Sequence, residues 1–381
     1  MRERIRILAA ACFYYMGLVH LMLWWKQRTG RRLTILNYHR ATGPHIQYQL
    51  RLLRRHYRIL PLEEALEEFY GEPNADLMVV EQKKRDRRAL LALTFDDGYL
   101  DNYLYAWKLV CQLHIPITIF LIPGYVESGA YFWWLADDYL ATHASVEMVV
   151  ADEKTYCLKR AADRKALAQF IDLRTRYVTS VAEREQFLCS IQEKLGISLP
   201  NRQQCGMSDT LLPLNWSEIR EMAQSGWVSF GAHTMHHPIL AYLSDTEELQ
   251  SEVLPCREVL QQQLGKPIRC FCYPVGRMEH IGAHAIEAVK QAGYDWALTT
   301  LEDVNTLQTD PYLLARLPGD ETQHWLVMAA ELAGLLGIMS RLRKKYGKNF
   351  KKRSRSDEGR AAPQLPPYGT GSTGATSSPS I

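Results

Sequence analysis

The sequence predicts an α/β fold in which a parallel sheet is covered by helices. Apolar runs of strand length alternate with amphipathic segments from residue 33 to 122, and the rhythm resumes from 227 to 317. Two of these runs stop abruptly in ionisable residues: Leu90–Phe95 at Asp96-Asp97-Gly98, and Trp227–Phe230 at the histidines beyond Gly231. Repeated βα units make successive strands parallel, and such folds carry their chemistry where strands open into loops.

At the N-terminus, residues 7–25 contain His20 as their one ionisable group and approach the ~20 apolar residues of a membrane-spanning helix. Arg2, Arg4 and Arg6 precede the run and Trp24-Trp25-Lys26 end it, with no small-residue cleavage site. Residues 1–30 are therefore expected to be an uncleaved anchor or a helix lying in the membrane interface. The rival reading is a helix packed on the rest of the fold. Basic residues on both flanks, Lys26, Arg28, Arg31 and Arg32 among them, leave the orientation open.

Strand, helix, strand and helix are expected over 33–38, 46–57, 58–62 and 63–70, followed by a solvated loop at Glu81–Arg88. A helix over Asp101–His114 and a strand over Ile115–Ile122 come next. Strand signals then thin out, and residues 127–213 read as a helical insertion that opens with Tyr131-Phe132-Trp133-Trp134. Packing is the preferred reading of this aromatic cluster. Strands follow at 227–232, 268–273, 295–300 and 313–317, with helices at 245–264 and 279–292, which gives about seven strand and helix units in all. Residues 321–348 form an amphipathic helix pattern, and 349–381 are basic and then too poor in apolar residues to fold. That basic cluster is either a patch for anionic lipid or a solvated charge run.

Of the 381 residues, 47% are hydrophobic, enough for a substantial core, and a formal net charge of +3 gives no reason to expect nucleic acid as a partner. The eight cysteines show no CxxC pair and read as buried thiols. Cys270 and Cys272 alternate onto one strand face, where core packing is preferred over a soft-metal site.

Adjacent side chains on a strand point to opposite faces, so Asp96 and Asp97 can converge only if the backbone turns, and Gly98 permits the turn. His233 and His237 lie four residues apart, a spacing that brings both imidazoles to one side. Two neutral imidazoles and a carboxylate suit zinc and similar divalent ions with positions left for water. A zinc protease is excluded because Thr234 stands where its motif needs a glutamate, and Pro238 discourages helix at His237. An EF-hand is excluded because the residues after Asp96 lack alternating oxygen donors and a closing glutamate.

The segments Thr94-Phe95-Asp96-Asp97-Gly98 and His233-Thr234-Met235-His236-His237, in this order, resemble the polysaccharide deacetylase family, the NodB-homology carbohydrate esterases of carbohydrate esterase family 4. Phe271-Cys272-Tyr273-Pro274-Val275-Gly276 is similar to the F-x-Y-P-x-G segment of the branch acting on poly-N-acetylglucosamine, and Asn37-Tyr38-His39-Arg40 to the strand end that opens many of its members. The resemblance covers residues 31–320. It implies an irregular (β/α)7 TIM-like barrel and supplies the closure that sequence does not display.

The resemblance also implies roles. Asp97, His233 and His237 would hold one divalent metal ion, zinc ahead of cobalt, nickel or manganese, and Asp96 would be the general base. Tyr273 would stabilise the oxyanion through its backbone N–H or, second, its hydroxyl. His39 is the expected general acid, ahead of His236, His280 and His284, and Arg316 is expected to orient Asp96. Better-known members have an arginine in the third motif and a leucine-x-histidine segment near the domain end, which this sequence lacks. The expected substrate is an N-acetylated amino-sugar polysaccharide or a glycolipid-linked saccharide, with the enzyme membrane-associated through its N-terminal helix and basic tail, the side of the membrane left open. The alternatives are an inactive saccharide-binding member of the same fold and a membrane-surface scaffold.

Overall fold

A computed structural model describes residues 2–28, 31–71, 86, 88–243 and 245–335. The basic cluster, the tail, the C-terminal part of the 321–348 helix and most of the Glu81–Arg88 loop lie outside these residues. The strands are β1 (Leu33–Tyr38), β2 (Tyr57–Ile59), β3 (Ala89–Phe95), β4 (Ile117–Leu121), β5 (Met148–Ala151), β6 (Lys154–Cys157), β7 (Val228–Ala232), β8 (Cys270–Cys272), β9 (Trp296–Leu298) and β10 (Leu317–Pro318).

Seven of them form one curled parallel sheet in the order β10-β1-β3-β4-β7-β8-β9, while β2 pairs with the start of β3. The two ends of this row are joined by one stretch. Ala297 donates to Pro311 O and Leu314 donates to Ala297 O, each at 2.9 Å, and three residues later Leu317 pairs with Leu36 of β1. The last strand is thus shorter and later than the expected 313–317, because residues 311–316 bond to β9 before the chain crosses to β1.

Period-two alternation sorts the side chains. Leu33, Ile35, Leu90, Ala92, Phe120, Cys270, Cys272 and Leu298 share an interior cluster with Leu62, Leu66 and Phe69 of the helix Leu62–Tyr70. Their neighbours Leu91, Leu93, Ile119, Leu121, Phe271 and Tyr273 face the helix layer. The two strand cysteines are therefore core packing. Among the described residues all eight cysteines are free, though Cys12 and Cys189 are exposed, not buried as expected.

The helices begin and end for local reasons. Asn215 and Glu218 form a reciprocal capping box on Trp216–Gln224, and Asp245 caps Thr246–Leu264, which stops at left-handed Gly265. The expected helix over Asp101–His114 starts as a π-helix, Asn102–Trp107, directly after the aspartate turn. The expected 279–292 helix is split by Gly282, whose φ of 75° no helix accommodates.

The insertion has its own core, built by Phe132 and Trp133 together with Leu140, Leu167, Ile171, Leu188 and Leu195 of the helices Ala136–His143, Ala161–Arg176 and Val181–Leu195. It also holds an antiparallel hairpin, β5–β6, that the sequence reading missed. Each strand has only four residues, with Met148 and Val150 exposed and Val149 and Ala151 buried, too short an alternation to stand out.

Residues 7–25 are not one helix. Gly17, at φ 77°, separates Arg2–Tyr15 from Leu18–Arg28, and the two are bent by 70°. No single helix among the described residues is long and apolar enough to cross a membrane. Val19 and Leu23 are buried in the barrel's outer core, Arg6 pairs with Glu331 at 2.8 Å, and the Tyr14 ring meets Trp325 edge-on at 5.1 Å. One side of the pair therefore packs on the fold.

Close packing between neighbouring strands is testable at Gly231. A Cβ there would run into the Phe120 ring and reach within 3.1 Å of Cys270 O. Gly231→Ala should destabilise the protein by about 1–3 kcal/mol in urea denaturation. Adding Phe120→Leu should cost less than the sum of the two single changes, since the smaller side chain relieves the clash.

Candidate active site

The carboxylate pair is set by strand continuation followed by a break in backbone handedness. Asp96 donates its N–H to Tyr38 O at 2.9 Å, so it still belongs to the sheet and points inward. Asp97 then takes φ 73° and Gly98 φ 69°, both left-handed. Aspartate tolerates that region better than most residues, and glycine is free in it. A Cβ on Gly98 would also meet Leu121 Cδ2 at 2.7 Å. The turn redirects Asp97 so that both acids line one buried site, at 2% and 5% exposure.

Asp96 is held by Arg316. The guanidinium grips both carboxylate oxygens at 2.8 Å each, donates to Thr299 O at 2.8 Å, and contacts the Cys272 sulfur at 3.0 Å. Burial opposes ionisation of Asp96, but the Arg316 charge and its hydrogen bonds outweigh it, with His233 and His39 adding to the effect. The carboxyl is held well below the usual carboxylate range and stays ionised near neutrality.

The two histidines approach from the end of β7. His233 donates its N–H to Leu121 O, and its ring Nδ1 lies 2.7 Å from Cys272 O. A carbonyl only accepts, so Nδ1 carries the hydrogen and Nε2 presents its lone pair to the site. His233 Nε2 lies 3.5 Å and His237 Nε2 3.6 Å from the same atom, Asp97 Oδ1. One ligand atom from each of the three residues falls within 4.8 Å of the others.

The backbone between the histidines is not helical. Thr234 and His237 are both left-handed, at φ 65° and 57°, and Thr234 Oγ1 accepts the His237 N–H at 2.9 Å. The insertion braces this loop. Trp133 Nε1 donates to His237 O at 3.0 Å, buried Arg184 donates to His236 O at 3.0 Å, and the Trp134 ring lies 4.3 Å from the His237 ring. From the barrel side, Glu252 accepts from His236 N at 2.8 Å and meets its ring Nδ1 at 2.7 Å, which turns His236 away from Asp97.

This donor set fits a divalent metal ion. Burial, then the neighbouring His233, brings His237 down to about 3, which keeps that imidazole neutral. On His233 burial disfavours charge but is outweighed by its partners, Asp97 among them, so a proton and a metal compete for one lone pair. The other buried cluster, Asp96, His233 and Cys272, fits less well, because Arg316 occupies both Asp96 oxygens.

The remaining candidates are distributed unevenly. His39 is exposed at the end of β1, close enough to act electrostatically on both Asp96 and Asp97, with its carbonyl accepting from Asn102 at 3.0 Å. His280 sits beside Tyr242, 6.2 Å ring to ring.

Tyr273 is different. Its N–H is donated to Leu298 O at 3.0 Å, and one position of alternation after Cys272 turns its side chain into the helix layer, against Phe271. Neither of its expected oxyanion donors is directed at the aspartates. Two residues on, Val275 takes φ 60°, a strained setting for a β-branched residue, and its N–H makes no hydrogen bond among the described residues. Cys272, Trp133, Arg184 and Glu252 went unrecognised as contributors, since each acts through a contact between distant segments.

A carboxylate and two imidazoles thus converge at the strand ends of a parallel α/β barrel, where they could hold a metal ion. A profile of the family described as Polysaccharide deacetylase matches residues 83–297, more than half of the chain, and the protein belongs to that family. It is a hydrolase of carbon–nitrogen bonds in linear amides, the N-acetyl groups of saccharides. No curated protein matches the sequence. Solved structures similar to it include the Streptococcus pyogenes deacetylase PplD in complex with acetate (16% identity, 79% of this chain and 97% of that one, TM-score 0.48). IcaB from Ammonifex degensii is similar at 18% identity, with 79% and 97% covered and a TM-score of 0.48. The polysaccharide deacetylase BC0361 from Bacillus cereus is similar at 17% identity, with 79% and 69% covered and a TM-score of 0.47.

The Asp96–Arg316 pair yields a signed expectation. Removing the cation strands a buried carboxylate, so Arg316→Met should cost about 3–5 kcal/mol near neutral pH. Because Asp96 is held below its ordinary range, the pair's stabilisation is complete above about pH 4 and is lost as pH falls further. Denaturation of wild type and variant across pH 2–7 should therefore show curves about 3–5 kcal/mol apart at neutrality and converging in acid.

Proposed function

We propose that this protein removes N-acetyl groups from an amino-sugar polysaccharide or a glycolipid-linked saccharide, with one divalent metal ion held by Asp97, His233 and His237. The observation that carries the reading is the approach of two Nε2 atoms to Asp97 Oδ1 beside a second, arginine-paired carboxylate. When bound, such an ion, zinc before cobalt, nickel or manganese, supplies Lewis acidity that brings a coordinated water's pKa to about 7 and polarises the amide carbonyl.

The chain's own residues do the rest. Asp96 accepts the proton of the attacking water as general base, and Arg316 keeps that carboxylate ionised and fixed in direction. The same pairing makes Asp96 a weak base. The Val275 N–H is the oxyanion donor in place of Tyr273, and His39 at the open rim delivers a proton to the departing amine. Burial of Asp96 and Arg316 strengthens their interaction by excluding water.

Acetate release from N-acetylglucosamine oligomers, measured with defined metals added, tests reaction, cofactor and substrate class together. Asp97→Ala, His233→Ala and His237→Ala should each lose bound metal and turnover together. Asp96→Asn should retain the metal and lose about 10²–10⁴-fold in kcat; turnover near wild type would remove Asp96 from its role. His39→Ala should displace the alkaline limb of the pH–rate profile. Because protons compete for His233, metal affinity measured by calorimetry should weaken as pH falls from 8 to 6.

A further inference from the structure

We propose that the face of the protein opposite the metal site seats on an anionic membrane, with a lipid phosphate entering a cavity lined by arginines. The cavity, of about 220 Å³, lies at the N-terminal ends of the barrel strands and is lined by Arg31, Arg32, Arg58 and Arg88 together with Thr34 of β1 and Leu90 of β3. The aspartates and histidines sit at the other end, beyond Phe95 and Ala232. The proposal is thus independent of the hydrolytic reading.

Charge around the cavity is unbalanced. Glu68 pairs with Arg58 and Asp86 pairs with Arg88 at 2.6 Å, which leaves Arg31 and Arg32 without a carboxylate among the described residues. Arg31 is anchored through the carbonyls of Gly71 and Glu68, and Arg58 Nε is buried without a partner. With Arg31 committed to carbonyls, Arg58 to Glu68 and Arg88 to Asp86, the Arg32 guanidinium and Arg58 Nε are the donors left among the described residues at a space large enough for a phosphate, the anion whose geometry a guanidinium matches.

The occupant follows from what adjoins the cavity. Leu23, on the second N-terminal helix, lines the same space. Beside it Trp25 is 56% exposed, and Leu21, Met16, Tyr15, Leu8 and Ile5 continue an apolar surface over both helices at 55–75% exposure. Soluble monomers seldom display so continuous an apolar surface, and aromatic rings beside cations match the bilayer headgroup region. The 70° bend at Met16-Gly17 lets the two helices lie along a surface. A free phosphate would account for the arginines but not for the exposed helix face.

The test is sedimentation of the full chain with neutral phosphatidylcholine vesicles and with vesicles containing about one-third phosphatidylglycerol, at 0.15 M salt. Wild type should bind the anionic vesicles more tightly. Arg32→Glu/Arg88→Glu should reduce that binding at least about tenfold with an unchanged melting temperature, because each cation near an anionic surface contributes measurably. Leu21→Ser/Trp25→Ser should weaken binding to both vesicle types. Acetate release from soluble oligomers should be unaffected in either variant. Arginine variants that bind like wild type would assign the attraction to the basic tail and overturn the proposal. So would formation of a dimer that hides Trp25.

Discussion

The bidentate contact between Arg316 and Asp96 is the interaction on which the rest of the site depends. A carboxylate at 2% exposure stays charged only if an opposite charge accompanies it, and the arginine is equally buried. The partner arrives from the stretch that bonds to β9 at one end and to β1 at the other, so the residue that keeps Asp96 ionised also lies on the strap joining the sheet's edges. Folding the barrel and preparing the acid are one event.

Around that pair the loops are held in unfavourable conformations. Asp97, Thr234, His237 and Val275 are all non-glycine residues at positive φ, and all lie at the ends of β3, β7 or β8. Such residues persist only where their surroundings over-determine them. Here the surroundings are specific: Thr234 closes the histidine loop from within, Trp133 and Arg184 hold it from the insertion, and Glu252 fixes it from the helix behind. The insertion is therefore part of the candidate metal site's scaffold although it supplies none of the three converging side chains.

Much of this was legible in the sequence where local pattern carries the information. Apolar runs ending at Asp96 and His233 marked the strands, and the doubled aspartate with Gly98 marked the turn. What stayed hidden depended on register and on contacts between distant segments. Nothing in Phe271-Cys272-Tyr273 discloses which residue faces inward, and the alternation gives that place to Cys272, sending Tyr273 to the helices. The hairpin β5–β6 was too short to leave a period, and the break at Gly17 lies inside an apolar run whose hydropathy is blind to backbone handedness.

The strap from Pro311 to Pro318 also limits how members of such a lineage can diverge. Most connections around the rim begin and end on neighbouring strands, so their lengths are set locally. This one must span a fixed gap while presenting a guanidinium at a fixed height, so a single added or deleted residue would move Arg316 to the other face of the barrel wall.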